Sequence, residues 1–85
     1  MNVIEKISVV MCTYNGEKYI RQQLDSILKQ TYPIYEIIIN DDISTDGTVD
    51  IIKEYMIRYD NIHLFVNSKR LGVHPNFMAG LVKAS

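Results

Sequence analysis

The sequence predicts an α/β fold, a parallel β-sheet with helices on both faces in the order β-α-β-α-β-α. Three observations predict it. Apolar, β-branched runs recur at Ile7–Cys12, Glu36–Asp41 and Ile62–Val66. Each run is followed by a turn-rich stretch, and each turn leads into residues whose apolar members share one helical face. The first two runs are nearly unbroken rather than alternating, as in strands covered on both faces of a parallel sheet.

Each element has its own signal. After the first strand, Thr13-Tyr14-Asn15-Gly16 breaks the pattern and offers Asn15 as an N-cap. Ile20, Leu24, Ile27 and Leu28 then form one face of a helix that stops before Thr31-Tyr32-Pro33. The second strand gives way to the turn residues Asp42-Ile43-Ser44-Thr45-Asp46-Gly47, with Asp46 the cap of the next helix. Val49, Ile52 and Met56 are expected on that helix's inner face, with Asp50 near its positive end. Tyr32, Tyr35, Tyr55 and Tyr59 are expected against helix and loop surfaces. A loop from Asn67 to His74 follows the third strand, and Pro75 opens a last helix carrying Phe77, Leu81 and Val82.

The bulk properties set limits. With 85 residues the chain is one small domain or a piece of one, with a marginal core. A net charge of -1 gives no general attraction to nucleic acid, and no such partner is expected. The single cysteine, Cys12, makes no internal disulfide, which suits a reducing cytoplasm; it reads as a buried strand-end thiol. No apolar run approaches the roughly 20 residues of a membrane helix. Glu5, Lys6 and Ser8 interrupt the first apolar stretch too early for a signal peptide. The expectation is a soluble intracellular piece whose third strand leaves an open sheet edge, a surface that favours a homo-oligomer.

Ligands of such folds bind at the carboxyl edge of the strands. The unusual residues lie in the loops there: Thr13-Tyr14-Asn15, Asp41-Asp42, and Asn67 to Asn76. Two carboxylates at the rim of Ile37-Ile38-Ile39 need partners to offset desolvation. One of them is readily explained as a turn former, but both are not. A metal pair needs more oxygen ligands, with Asp46 a helper, although neighbouring residues at a strand end point opposite ways. A nucleoside-triphosphatase reading lacks a G-x-x-x-x-G-K-[ST] loop, and no G-x-G-x-x-G supports a dinucleotide. A phosphoacceptor receiver needs its acidic pair after the first strand. What remains is recognition of a nucleobase N–H by one carboxylate, with Tyr14 available to stack on the ring. Lys69 and Arg70, in a loop at the ligand edge, are placed to approach a diphosphate, although most such pairs are simply solvated, and neither His63 nor His74 has a partner at metal-ligand spacing.

The ordered combination is more specific than its parts. Ser8-Val9-Val10 before Thr13-Tyr14-Asn15, then Leu24 to Tyr32, then Glu36 to Thr48, resembles the inverting family 2 of nucleotide-sugar glycosyltransferases. Asn67, Leu71-Gly72-Val73 and Asn76-Phe77 resemble its next segment, in the style of bacterial surface-polysaccharide enzymes. The resemblance implies the nucleotide-binding half of a GT-A (Rossmann-like) fold over residues 1–85. It implies that Thr13, Tyr14 and Asn15 hold the nucleoside, that Asp42 reads the uracil edge of a uridine donor, and that Asp41 and Asp46 shape the pocket. The loop around Gly72 to Asn76 is implied to close over base and ribose. Cys12 stands where many members have Pro, and Ile43 where Gly or Asn usually follows the acidic pair. The family's Asp-x-Asp, which binds a divalent metal (Mn or Mg), and its catalytic base belong after the third helix, so no metal site is expected within this chain. The implied reaction moves a sugar from a UDP-sugar to a glycan or lipid-linked acceptor hydroxyl, in the cytoplasm or at the membrane's inner face. The alternative is a module that binds nucleotide without turnover.

Overall fold

The computed structural model describes residues 7–30 and 34–70. The last helix, and with it Gly72 and Asn76, lies outside the described residues. Within them the order is β1 (Ser8–Thr13), α1 (Ile20–Leu28), β2 (Glu36–Asp41), α2 (Thr48–Arg58) and β3 (Ile62–Val66). The strands are parallel in the order β1-β2-β3. Their register pairs Thr13 with Asp41 and Asp41 with Val66, so all three strands end level and their following loops share one edge.

The core explains the order. Ile37 and Ile39 of β2 pack with Ile20 and Leu24 of α1, Ile52 and Tyr55 of α2, and Ile62 of β3. Burying each isoleucine contributes about 1.5–3 kcal/mol, so this cluster supplies much of the driving force for folding. Both helices therefore lie against the same face of the sheet. Two right-handed crossovers that step the same way across a sheet can only do this. The expectation of helices on both faces is thus not met by α1 and α2, and its remaining element lies outside the described residues.

The burial of each strand follows from its place. β2, in the middle, is buried at every position, whereas β1 is only partly buried until Thr13 and β3 exposes His63, Phe65 and Val66. The reading of the first run as covered on both faces is not met among the described residues, where β1 pairs with β2 alone and is only partly buried.

Helix α2 also differs in detail. Its buried stripe is Thr48, Ile52 and Tyr55, while Met56 is exposed and Val49 is half-buried. Tyr55 takes the inner position expected of Met56 because its hydroxyl reaches Asp25 Oδ1 at 2.6 Å, which satisfies the polar end of a buried ring. That hydrogen bond, to an acidic acceptor, also raises the phenol's pKa. The Arg21–Glu54 ion pair at 2.8 Å ties the outer surfaces of the two helices.

The helix starts are set by backbone geometry. The amides of Tyr19 and Ile20 both donate to Gly16 O at 2.9 Å, and α1 begins without a side-chain cap. Asn15 is therefore not its N-cap. At α2 the Asp46 carboxylate accepts the Thr48 amide at 3.0 Å and the Thr48 hydroxyl at 2.5 Å, just outside the Gly47 cap position. Those hydrogen bonds, led by the hydroxyl of Thr48, hold the Asp46 carboxyl below its ordinary pKa.

Candidate functional site

The alternation of side chains along a strand separates the acidic pair. Asp41 continues the parity of Ile37 and Ile39 toward the helix side, while Asp42 turns the other way. Asp41 is fully buried, and its carboxylate accepts Thr13 Oγ1 at 2.5 Å, Ser44 Oγ at 2.6 Å and the Ser44 amide at 2.7 Å. Three donors on two oxygens are what a buried carboxylate needs to remain folded in place. Asp41 is thereby committed to holding β1 and the second loop together.

Asp42 is 2% exposed and faces a different set of groups. Its amide donates to Thr13 O at 2.9 Å, which fixes the backbone. Its Oδ1 accepts Asn67 Nδ2 at 3.0 Å, and its Oδ2 accepts Arg70 Nε at 2.8 Å. The guanidinium carbon of Arg70 also lies 3.6 Å from the centroid of the Tyr14 ring. The hydrogen bond to Asp42 favours the charged guanidinium and raises its pKa. Asn67 is oriented in turn by Asn40 Nδ2, which donates to Asn67 Oδ1 at 2.9 Å.

The first two loops are laced to each other. The Asn15 amide donates to Ser44 Oγ at 2.9 Å, and Asn15 Oδ1 accepts the Thr45 amide at 2.7 Å. The Gly16 amide donates to Thr48 Oγ1 at 2.9 Å and the Glu17 amide to Asp46 Oδ2 at 3.2 Å. Glu17 Oε1 accepts the Gly47 amide at 2.5 Å. Two residues pass through positive φ to make this possible, Asn15 at 50° and Ile43 at 59°. Asparagine tolerates that region, whereas a β-branched isoleucine is strained there.

The structure therefore gathers Thr13, Tyr14, Asn15, Asp41 and Asp42 at one edge; Gly72 and Asn76 lie outside the described residues. Ser44 joins them without having been singled out, as do Asn67 and Arg70 from the third loop, which the sequence placed at this edge without assigning either a contact. Of the two readings of Arg70, a solvated cation or one near a diphosphate, neither anticipates that it is bound to the buried carboxylate of Asp42. The signal for that pairing was present: a buried Asp at a sheet rim requires a donor, and the parallel register of β2 and β3 brings the third loop to it. Burial pushes the Cys12 thiol up in pKa, consistent with a packed thiol rather than a nucleophile.

Two surface hollows lie elsewhere. One of about 450 Å³ is lined by Tyr35, Glu36, Asn61 and His63, and one of about 690 Å³ by Ile34, Met56, Ile57 and Tyr59. The first runs along the sheet face turned away from the helices, through Ile38 and Phe65, and the second lies at the amino edge, so neither coincides with the converging polar groups. The carboxyl edge is the better candidate because it carries buried, oriented, charged groups. Among the described residues no group of three or more His, Cys, Asp or Glu side chains is placed to hold a metal ion. No described helix is long and apolar enough to cross a membrane.

Comparison with known proteins agrees with this geometry. Residues 8–85 match the model of glycosyl transferase family 2. The chain is 41% identical over 83 residues to the dolichyl N-acetyl-alpha-D-glucosaminyl phosphate 3-beta-D-2,3-diacetamido-2,3-dideoxy-beta-D-glucuronosyltransferase of Methanococcus voltae, covering 93% of this chain and 26% of that protein. TarS of S. aureus in complex with UDP-GlcNAc superposes with a TM-score of 0.86 at 33% identity, over 95% of this chain and 24% of TarS. The mannosyltransferase PcManGT of Pyrobaculum calidifontis, in complex with GDP-Man and Mn2+, gives 0.85 at 27% identity, over 94% of this chain and 24% of that one. The chain thus spans about a quarter of the length of these relatives. Its match to the family model over nearly all its residues, on a parallel α/β sheet of GT-A type, shows that it belongs to glycosyl transferase family 2.

Proposed function

We propose that residues 1–85 form the nucleoside-binding front part of a glycosyltransferase that moves a sugar from a UDP-sugar to an acceptor hydroxyl, with inversion. The observation that carries this is Asp42: a carboxylate 2% exposed, fixed by its own backbone and aimed at the loop edge beside Tyr14. A buried carboxylate that accepts from a base N–H discriminates strongly, because a wrong ligand leaves it unpaired. Tyr14 supplies the ring face for stacking, and Thr13 with Asp41 sets the backbone from which Asp42 projects. Asn15 holds the second loop in register with the first. Relatives crystallised with UDP-GlcNAc and with GDP-Man and Mn2+ support a nucleotide-sugar donor. The Methanococcus relative, named for a dolichyl-phosphate-linked sugar, supports a lipid-linked or glycan acceptor.

A divalent metal belongs to this proposal only beyond these residues. Asp41 has its oxygens filled by Thr13 and Ser44, and those of Asp42 are taken by Asn67 and Arg70, so the described carboxylates do not fit a metal. The contribution of the chain is recognition and orientation of the nucleoside. A cytoplasmic location is part of the same reading.

Calorimetric titration of the chain with UDP, with and without Mn2+, tests the proposal. Weak binding indifferent to metal is expected, and Asp42→Ala should weaken it by about 1–3 kcal/mol. Equal affinity of wild type and Asp42→Ala, with both proteins folded by circular dichroism, would remove Asp42 from the site. Tight, metal-dependent binding would show that a metal site does lie within the chain.

A further inference from the structure

Both groups that the proposed site offers to a base are in contact with Arg70. Its Nε donates to Asp42 Oδ2 at 2.8 Å, and its guanidinium covers the Tyr14 ring at 3.6 Å. A guanidinium is planar, carries its donors in a rigid fork and stacks on aromatic faces, so it imitates both interactions of a nucleobase, the in-plane N–H and the stacked ring. We propose that Arg70 stands in for the base in the ligand-free protein and thereby makes the site selective for a nucleoside diphosphate over a nucleoside. This rests on the nucleotide reading of the site.

The selectivity follows from what each ligand returns. A nucleoside entering the slot must take Asp42 Oδ2 and the Tyr14 face from Arg70, and it has no anion to offer the displaced cation. A nucleoside diphosphate does: the released guanidinium, half-exposed at the same loop edge, is a matched donor for phosphate oxygens. Arg70 therefore opposes binding of the base and favours binding of the diphosphate. The side chain of Asp42 remains buried throughout, so exchanging a guanidinium donor for a base donor avoids an unpaired carboxylate at either stage.

The test is a pair of affinities, uridine and UDP, measured by calorimetry on the full chain as wild type, Arg70→Ala and Arg70→Lys. Arg70→Ala should bind uridine roughly five- to tenfold more tightly than wild type, the order expected from losing one partly exposed ion pair and one cation–π contact. The preference of the same variant for UDP over uridine should fall below that of wild type. Arg70→Lys keeps the charge without the planar fork, so it should gain for uridine while retaining much of the UDP preference. Uridine binding unchanged or weakened in Arg70→Ala, while wild type still binds UDP, overturns the stand-in role and leaves the nucleotide site intact. Failure of all three proteins to bind either ligand removes the nucleotide reading and this inference with it.

Discussion

At the scale of single residues, Ile43 shows the molecule accepting local strain for the sake of its loop. With φ at 59° it occupies a region where a β-branched side chain costs about 1–2 kcal/mol, yet Asp41 needs the turn to bring the Ser44 amide and hydroxyl onto its carboxylate. Asparagine adopts this conformation at little cost, so Ile43→Asn should raise the free energy of unfolding by about 1 kcal/mol, after allowing for the half-buried apolar surface lost. Urea denaturation monitored by circular dichroism would check it, and a lower midpoint at unchanged slope would mean that Ile43 earns its place by packing. The sequence showed that Ile43 was unusual here. It could not show the sign of its φ, which is decided by where Ser44 must arrive.

At the scale of elements, the strands were legible and the helix faces less so. β2 and β3 fall where their apolar runs place them, because a run of isoleucines ended by turn residues has few alternatives. The inner stripe of α2 was misplaced by one residue because Tyr55 and Met56 are both apolar enough to be buried. The choice was made by a partner on another helix, Asp25, which periodicity within α2 cannot reveal. Asn15 was misread for a related reason: its side chain serves the second loop rather than its own helix. The cap position of α2 falls to Gly47 rather than Asp46, but Asp46 still holds the first turn through Thr48 from one residue earlier, and its depressed pKa turns that role into a pH dependence. A carboxyl whose folded pKa lies below its unfolded value contributes stability that is fully present above that unfolded value. The contribution disappears as pH falls through the lower, folded pKa. Comparing Asp46→Asn with wild type from pH 7 downward should therefore show a stability difference that is constant at neutral pH and closes below the ordinary value of 3.8. A difference that persists undiminished well below that pH would mean that the charge of Asp46 is not what caps α2.

At the scale of the whole molecule, the core and the site share one strand. Ile37 and Ile39 anchor the sheet, and two residues later the same strand delivers Asp41 and Asp42 to the edge. The parallel register then sets Thr13 and Val66 beside Asp41 without help from the loops, which explains why the gathering of these residues at one edge was legible from element order alone. The closure of that edge by Arg70 was not, since that depends on the path of a loop. This arrangement makes core packing and ligand binding separable. Ile39 touches the helices, not the loop edge, so Ile39→Val should cost about 0.5–1.5 kcal/mol of stability through a lost methylene. A ligand that binds only the folded chain adds about 2.7 kcal/mol at roughly 100 times its dissociation constant, whatever the starting stability. UDP at that level should therefore stabilise wild type and Ile39→Val by equal amounts in denaturant titrations. A smaller gain in Ile39→Val would show that loosening the core shifts the carboxylates, and that β2 carries strain from Ile39 to Asp42 as a rigid strut would.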